Sequence, residues 1–320
     1  DRVCLSNRDG SVYCFPWRRF NYFTGPQNYE SEGLIMANGV LFTQKRSANT
    51  LRYSVVVLLA LAFTFPLLYL ISGSLMTLDE VTVYPPKLLP SSINLQNYAD
   101  AMQVMTPRIF GNTLFFTFGI LILQLIISFS AGFALAKMPF KYAATVVALF
   151  AIPVFLPTNV SIIPLYLVTF KLNLLSTWGG MILPIVGSTA FGTLLFRQFL
   201  VNFPDNLVDA ARIDGASWPR VLFQVVLPLA KPPIASYAAV TFLTAWNMYI
   251  WPLMVGNTEN LKVATVQLAP LIAGGTGFYG KIPPNVTYAA ALLSALPVTL
   301  FFLWAQRWFI NAIAGTGNDS

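Results

Sequence analysis

Six stretches of this chain contain no Asp, Glu, Lys or Arg and run for at least 25 residues each: 53–78, 109–136, 142–170, 172–196, 232–258 and 282–306. A charge at the centre of a bilayer costs about 2.5–3.5 kcal/mol even on the most lenient insertion scale. Each stretch can hold the roughly 20 apolar residues that cross a hydrocarbon core. The pattern predicts an all-α, polytopic membrane protein with about six transmembrane helices. The composition agrees, with 56% hydrophobic and 10% charged residues. A soluble domain carries about 25% charged residues, and a soluble chain of this make-up would have to expose large apolar patches. The segment 263–280 is shorter and holds Pro270, Gly274, Gly275 and Gly277. It reads as a loop or a re-entrant segment.

Orientation follows from the basic residues between the spans. With the N-terminus inside, the inner loops carry Lys45, Arg46, Arg52, Lys137, Lys141, Arg197, Arg212, Arg220, Lys231 and Arg307. The outer loops carry Lys87, Arg108, Lys171, Lys262 and Lys281. Ten against five favours both termini in the cytosol. Tyr53, Trp178, Trp251 and Trp308 near span ends suit interfacial anchoring. The net charge of +7 is spread over the gaps rather than gathered on one face, so nucleic acid is not an expected partner.

The chain has no histidine, which removes the usual proton shuttle and the commonest metal ligand. Its two cysteines, Cys4 and Cys14, make a poor zinc site alone. The expected cytosolic location keeps them reduced. No catalytic residue and no metal site is expected. Residues 1–50 form an unassigned N-terminal extension, and nothing before Leu51 has the pattern of a signal peptide. The first residue is Asp1, so the native start is expected to be trimmed or to lie elsewhere, Met36 being one alternative.

The inner loop 197–231 is long, mixed in charge and regularly patterned. Asp205 follows Pro204 and is read as an N-cap. Residues 206–214 have helix-forming composition, with Leu207, Ala210 and Ala211 on one face. Gly215 sits where a left-handed cap would end that helix. Ser217 can cap a second helix that tolerates Pro219 in its first turn and stops near Pro228. Small residues at Ala210, Ala211, Gly215 and Ala216 allow close approach of another surface, and Asp209, Arg212 and Asp214 give it a polar rim. Docking into a cytosolic partner and lying on the membrane surface are the two readings of this shape.

The run Asp209-Ala210-Ala211-Arg212-Ile213-Asp214-Gly215-Ala216, followed by Leu227-Pro228-Leu229 and Pro232, resembles the signature loop of binding-protein-dependent ABC importer permeases. That family usually has Glu where this chain has Asp209. Tyr84 to Tyr98 and Ala245 to Leu253 resemble segments of its carbohydrate-importing branch. So does the end of the chain, with Pro297, Phe301, Gln306 and Phe309. The resemblance is closest to the six-span permease subunit typified by the shorter membrane subunit of the maltose importer. It implies a permease domain over 51–312 and a cytosolic tail over 313–320.

The resemblance also implies partners. These are a second homologous permease, two ATPase subunits that bind ATP and Mg, and an extracytoplasmic solute-binding protein, all at a bacterial or archaeal cytoplasmic membrane. It assigns ATPase coupling to Asp209, Ala210, Ala211, Asp214, Gly215, Ala216, Leu227 and Pro228. The residues agree with energy supplied from outside, since the chain has no phosphate-binding Gly-rich loop and its spans hold no carboxylate for ion coupling. A uniport channel would leave the loop unexplained. Trp246, Asn247, Tyr249 and Trp251 offer aromatic faces and an amide of the kind that binds sugars, against the alternative that they are packing residues. Met248 stands where the family often has an acid. The outer loop 270–285, with Gly274, Gly275 and Tyr279, is read either as reaching the binding protein to dislodge cargo or as an ordinary loop. A sugar or oligosaccharide is the expected cargo. A phosphate ester or polyamine is the nearer alternative, and a membrane-embedded enzyme the remote one.

Overall fold

The computed structural model describes residues 2–6, 12–16, 38–139, 141–256, 258–272 and 282–315. It describes side chains for 52–139, 141–157, 160–256, 258–272 and 282–306. Gly274 to Tyr279 lie outside the described residues, as do the side chains of Cys4, Cys14 and Trp308. The chain divides into two units, Asp1–Phe65 and Pro66–Ser320. The first holds a hairpin of β1 (Arg2–Ser6) and β2 (Val12–Pro16). The strands are antiparallel, with Cys4 opposite Cys14 in the register. This hairpin, in the extension that the sequence left unassigned, is an addition to an otherwise helical chain. Helix α1 (Asn38–Ser74) begins in the first unit, and the boundary falls at Pro66 inside it, where the ladder lacks an amide donor.

The second unit is helical. Among the described residues of both units, three helices are long and apolar enough to cross a membrane by themselves: Arg52–Ser74 of α1, which the unit boundary divides, α4 (Pro107–Lys137), and Pro284–Gln306 of α15 (Pro284–Gly315). Three bent pairs bring the number to six if each pair is one span. The third apolar stretch is α5 (Ala143–Ala151), a 3-10 turn at Ile152–Phe155, and α6 (Thr158–Lys171), bent by 105°. The fourth is α7 (Trp178–Val186) and α8 (Ala190–Val201), bent by 44°. The third bent pair is the helical stretch Trp218–Leu229 with α12 (Lys231–Trp246), at 84°; within the fifth apolar stretch α12 is followed after a short break by α13 (Ile250–Val255).

Uninterrupted spans were expected in these three places. The breaks fall at Pro153 and Pro157, at Gly187 just after Pro184, and at Asn247–Tyr249. Proline removes a ladder bond, and a break at membrane depth is stable only where other groups satisfy the freed carbonyls. At the α7–α8 break those groups come from α4. Gln124 Nε2 donates to the carbonyls of Ile185 at 2.8 Å and Ser188 at 3.4 Å. Ser128 Oγ donates to the carbonyl of Thr189 at 3.4 Å. The Tyr237 hydroxyl, from α12, donates to Gln124 Oε1 at 3.3 Å.

Helix α4 is the centre of the unit, packing most extensively on α8 and then on α12 and α7. Close approach of α4 and α8 requires Gly132, since a Cβ there would lie 2.8 Å from Phe196 Cβ and 3.0 Å from two backbone atoms of α8. Small residues serve this purpose between membrane helices, where lipid gives no hydrophobic drive. The end of the bundle beside the loop 197–231 is an aromatic cluster of Phe129, Phe133, Phe196, Phe203 and Tyr237 with Leu200, Val221 and Val226. A second cluster holds Phe116, Ile120, Met181, Ile182, Trp251 and Val255.

Beyond the first span, α2 (Leu78–Thr82) and α3 (Gln96–Val104) fold back on its end. Asn97 Nδ2 donates to the carbonyls of Ser74 and Met76, both at 2.8 Å, and Asn97 Oδ1 accepts from Asn285 Nδ2 at 2.8 Å. Glu80 accepts from the amides of Thr77 at 3.1 Å and Ser91 at 2.9 Å and pairs with Lys87 at 3.5 Å. Hydrogen bonding from the Ser91 side chain, then from the Thr77 and Ser91 amides, lowers its pKa to about 2. The segment 263–280, expected to be a loop or re-entrant, begins with α14 (Ala264–Ile272), which contains Pro270.

Candidate functional site: the inner loop between α8 and α12

Helix α9 (Asp205–Ile213) opens the loop. Its N-cap position is Pro204, and Asp205 is its first helical residue. The Asp205 carboxylate therefore does not cap the helix as the sequence suggested; it accepts a hydrogen bond from Lys137 Nζ at 2.5 Å. Of the face read from the sequence, only Ala211 turns toward the bundle. Val208 is the buried residue, with Ala211 half-buried beside it, while Leu207 and Ala210 face outward. The bond from Lys137 ties the first turn of α9 to the end of α4.

The end of α9 follows the expected course closely. Gly215 has φ of +84°. Its amide donates to the carbonyl of Arg212 at 3.1 Å, and the Ala216 amide donates to the carbonyl of Ala211 at 2.9 Å. These are the two bonds of a Schellman cap, which needs a left-handed residue at that position. No atom lies within 4 Å of where a Cβ on Gly215 would stand, so glycine is required here by backbone conformation rather than by crowding within the chain.

Arg212 closes the turn. Its guanidinium donates to the carbonyl of Ala216 at 2.7 Å and lies 4.5 Å from the Trp218 ring centroid. Trp218 meets Phe133 of α4 edge-on, with centroids 6.0 Å apart. The second segment runs as α10 (Trp218–Arg220), a π-helical stretch Val221–Val226, and α11 (Leu227–Leu229). It ends at Leu229, near Pro228 as expected. The rod Trp218–Leu229 then bends by 84° into α12.

The loop thus presents a surface that nothing else in the described chain covers. Asp209, Ala210, Asp214 and Gly215 are exposed on it, and Ile213 is 86% exposed at its tip. Ala211 and Leu227 are half-buried, Pro228 is exposed, and Ala216 is buried in the inner cluster. An apolar side chain this bare on a cap held by specific hydrogen bonds has the form of a docking surface.

The four residues considered for cargo are split by the structure. Trp246 is buried, stacks on Phe242 and donates its indole N–H to the carbonyl of Ser294 at 3.3 Å. Trp251 is buried and donates to the carbonyl of Met181 at 2.9 Å. Both indoles are committed to packing, with their polar atoms satisfied internally. Asn247 and Tyr249 are exposed at the break between α12 and α13. Sequence reasoning missed Gln124, Ser128 and Tyr237, whose uncharged polar groups inside apolar stretches were the available signal.

Residues 125–315 match the family of binding-protein-dependent transport system inner membrane components. The chain belongs to this family. It is therefore a permease subunit of a binding-protein-dependent importer of the ABC type, a transport protein rather than an enzyme, with ATP hydrolysis on separate subunits. The permease is 30% identical over 284 residues to the sn-glycerol-3-phosphate transport system permease protein UgpE of Brucella abortus (strain 2308), covering 86% of this chain and 99% of that protein. It is 32% identical over 282 residues to the UgpE protein of Pectobacterium atrosepticum, covering 85% and 98%. Its fold is similar to a chain in the crystal structure of a bacterial ABC transporter involved in the import of the acidic polysaccharide alginate. That match has a TM-score of 0.72 at 22% identity and covers 88% of the permease and all of the other chain.

Proposed function

We propose that this permease forms half of the translocation pathway for a sugar, an oligosaccharide or a small sugar derivative. Its partners are a second homologous permease, two ATPase subunits that bind ATP and Mg, and an extracytoplasmic binding protein. Both termini face the cytosol, as the distribution of Lys and Arg suggests. The permease domain is 51–312, between the extension 1–50 and the tail 313–320.

Coupling to the ATPases is assigned to the loop 197–231. Asp209, Ala210, Asp214 and Gly215 form the docking surface with Ile213, while Ala211, Ala216, Leu227 and Pro228 shape and seat it. The observation that carries this reading is the Schellman cap at Gly215, which holds an apolar, uncovered tip in a fixed pose. Within the cargo pathway, Asn247 and Tyr249 are the contacts we assign, since each is exposed at a helix break.

A phosphate ester is the second reading for the cargo, favoured by the names of the relatives. The charge-free stretches favour an uncharged polyol, because between 109 and 136, 142 and 170, 172 and 196, and 232 and 258 there is no Arg or Lys for a phosphate, Arg197 of α8 lying just beyond the third of these. They offer no carboxylate to a polyamine either. The test is co-purification from native membrane and ATPase assay of the complex with its binding protein, loaded with maltose or with sn-glycerol 3-phosphate. A rise with either names the cargo class. Purification of the chain alone, transporting without an ATPase, would overturn the reading.

A further inference from the structure

One helix holds the loop 197–231 at two points. Phe133 and Lys137 are four residues apart in the last turns of α4, and so lie on one face. Phe133 meets Trp218, which opens the second segment of the loop and carries Arg212 of α9. Lys137 reaches the beginning of the loop. Its Nζ donates to the carbonyl of Phe203 at 2.7 Å and to Asp205 Oδ1 at 2.5 Å. The Lys137 side chain is only 4% exposed, although it ends the helix. Asp205 is 75% exposed, so its ion pair alone is weak. The stronger element is a covered ammonium bound to the carbonyl of buried Phe203, since such a charge must keep its acceptors.

The other end of α4 is held in the same manner. Asn112 Nδ2 donates to the carbonyls of Asn260 at 2.8 Å and Lys262 at 3.0 Å, and Arg108 donates to Asn260 Oδ1 at 2.7 Å. Thr113 Oγ1 accepts from the amide of Ala264 at 2.8 Å. Between these ends α4 contains no interior proline, its single proline being in the first turn. The other two long helices contain Pro66 and Pro297. By helical rise α4 is a rod of about 46 Å.

We propose that Lys137 is the positioning residue that fixes the docking helix α9 to α4, so that the two move as one body when the ATPases close. The proposal rests on the reading of residues 205–216 as the ATPase-docking surface. Motion of α9 is then delivered along α4 to the segment 260–264 at the opposite end.

The test uses the intact complex with the full chain, Cys4 and Cys14 replaced by Ser, and spin labels at Lys141→Cys and Asn206→Cys, both exposed positions. The distance between them is measured without nucleotide and with MgATP plus vanadate. The expected result is one narrow distance in both states. Lys137→Met broadens the distribution about twofold, as loss of a local tether allows local opening, and Lys137→Arg restores it. In parallel, Lys137→Met lowers the binding-protein stimulation of ATPase about tenfold, the size of a typical coupling between two sites. Should Lys137→Met not assemble, Lys137→Gln supplies the same two readouts. Unchanged distances and stimulation in whichever of these variants assembles would overturn the proposal. Gly215→Val separates the two claims. If it abolishes stimulation while Lys137→Met changes nothing, the tether alone is wrong. If it leaves stimulation intact while Lys137→Met alters the distances, the docking reading is wrong and the tether stands.

Discussion

The Arg212 guanidinium lies 4.5 Å from the centroid of the Trp218 ring and bridges the turn between them by donating to the carbonyl of Ala216. It makes one unit of two short helices. A partly exposed cation–π contact contributes about 0.5–1 kcal/mol, and a hydrogen bond to a charged group about 1.5–3 kcal/mol. Arg212→Ala is expected to loosen the turn and reduce binding-protein-stimulated ATPase several-fold while the complex still assembles. Arg212→Lys recovers part of the loss, because a lysine keeps the charge but not the planar fork. ATPase assays on purified complex check this.

The break between α7 and α8 depends on Gln124. Gln124→Leu leaves the carbonyls of Ile185 and Ser188 without that donor and the Tyr237 hydroxyl without its acceptor. Buried polar groups left unmet cost about 1–3 kcal/mol each, although hydrogen bonds between membrane helices average about 0.6 kcal/mol. A clear fall in the thermal midpoint of the detergent-purified complex is expected. Tyr237→Phe removes the hydroxyl's two long bonds, to Gln124 and Ser128, leaves the carbonyls of Ile185 and Ser188 with their donor, and lowers it less.

The residues of the fifth apolar stretch separate by readout. Trp246→Ala and Trp251→Ala each remove a buried ring from a packed cluster, a change that costs about 3–5 kcal/mol. They are expected to lower thermal stability, with no selective effect on apparent cargo affinity. Asn247→Ala and Tyr249→Ala, at exposed positions, are expected to raise the transport KM with little change in stability. Uptake kinetics in proteoliposomes and thermal melts distinguish the two pairs.

Glu80 gives the segment after α1 a pH dependence of known sign. Its pKa is lowered from an ordinary 4.5 to about 2, first by the Ser91 side chain and then by the Thr77 and Ser91 amides. A depressed carboxylate contributes stability that is fully present above its unfolded pKa and is lost as pH falls through the folded one. The difference in thermal stability between the native chain and Glu80→Gln is therefore constant above about pH 5 and shrinks between pH 4.5 and 2. A pH series of melts on both proteins checks it.

The helical class was legible because charge exclusion from lipid is a strong rule that acts residue by residue. Gly215 was legible for a similar reason, since a left-handed cap admits few residues. The breaks in the third, fourth and fifth stretches were not legible. Their stability comes from groups on other helices, as Gln124 of α4 serves Ile185 of α7. Trp246 and Trp251 read alike as binding or packing residues, because burial is a tertiary outcome. Lys137 entered the reading only as an inside charge. Its side chain turns under the bundle to Phe203, which no local pattern reveals. Which side of α9 meets the bundle was not legible, because the burial of Val208 comes from packing against other elements.

The most direct test of the central claim is a cross-link from the tip of the inner loop. A chain without Cys4 and Cys14, carrying Ile213→Cys, is purified with its partners and treated with a short thiol-to-amine cross-linker. The account predicts one product, joining the permease to an ATPase subunit, with a yield that changes between the nucleotide-free and MgATP–vanadate states. The account is contradicted if an ATPase co-purifies but neither this position nor Ala210→Cys cross-links to it in either state.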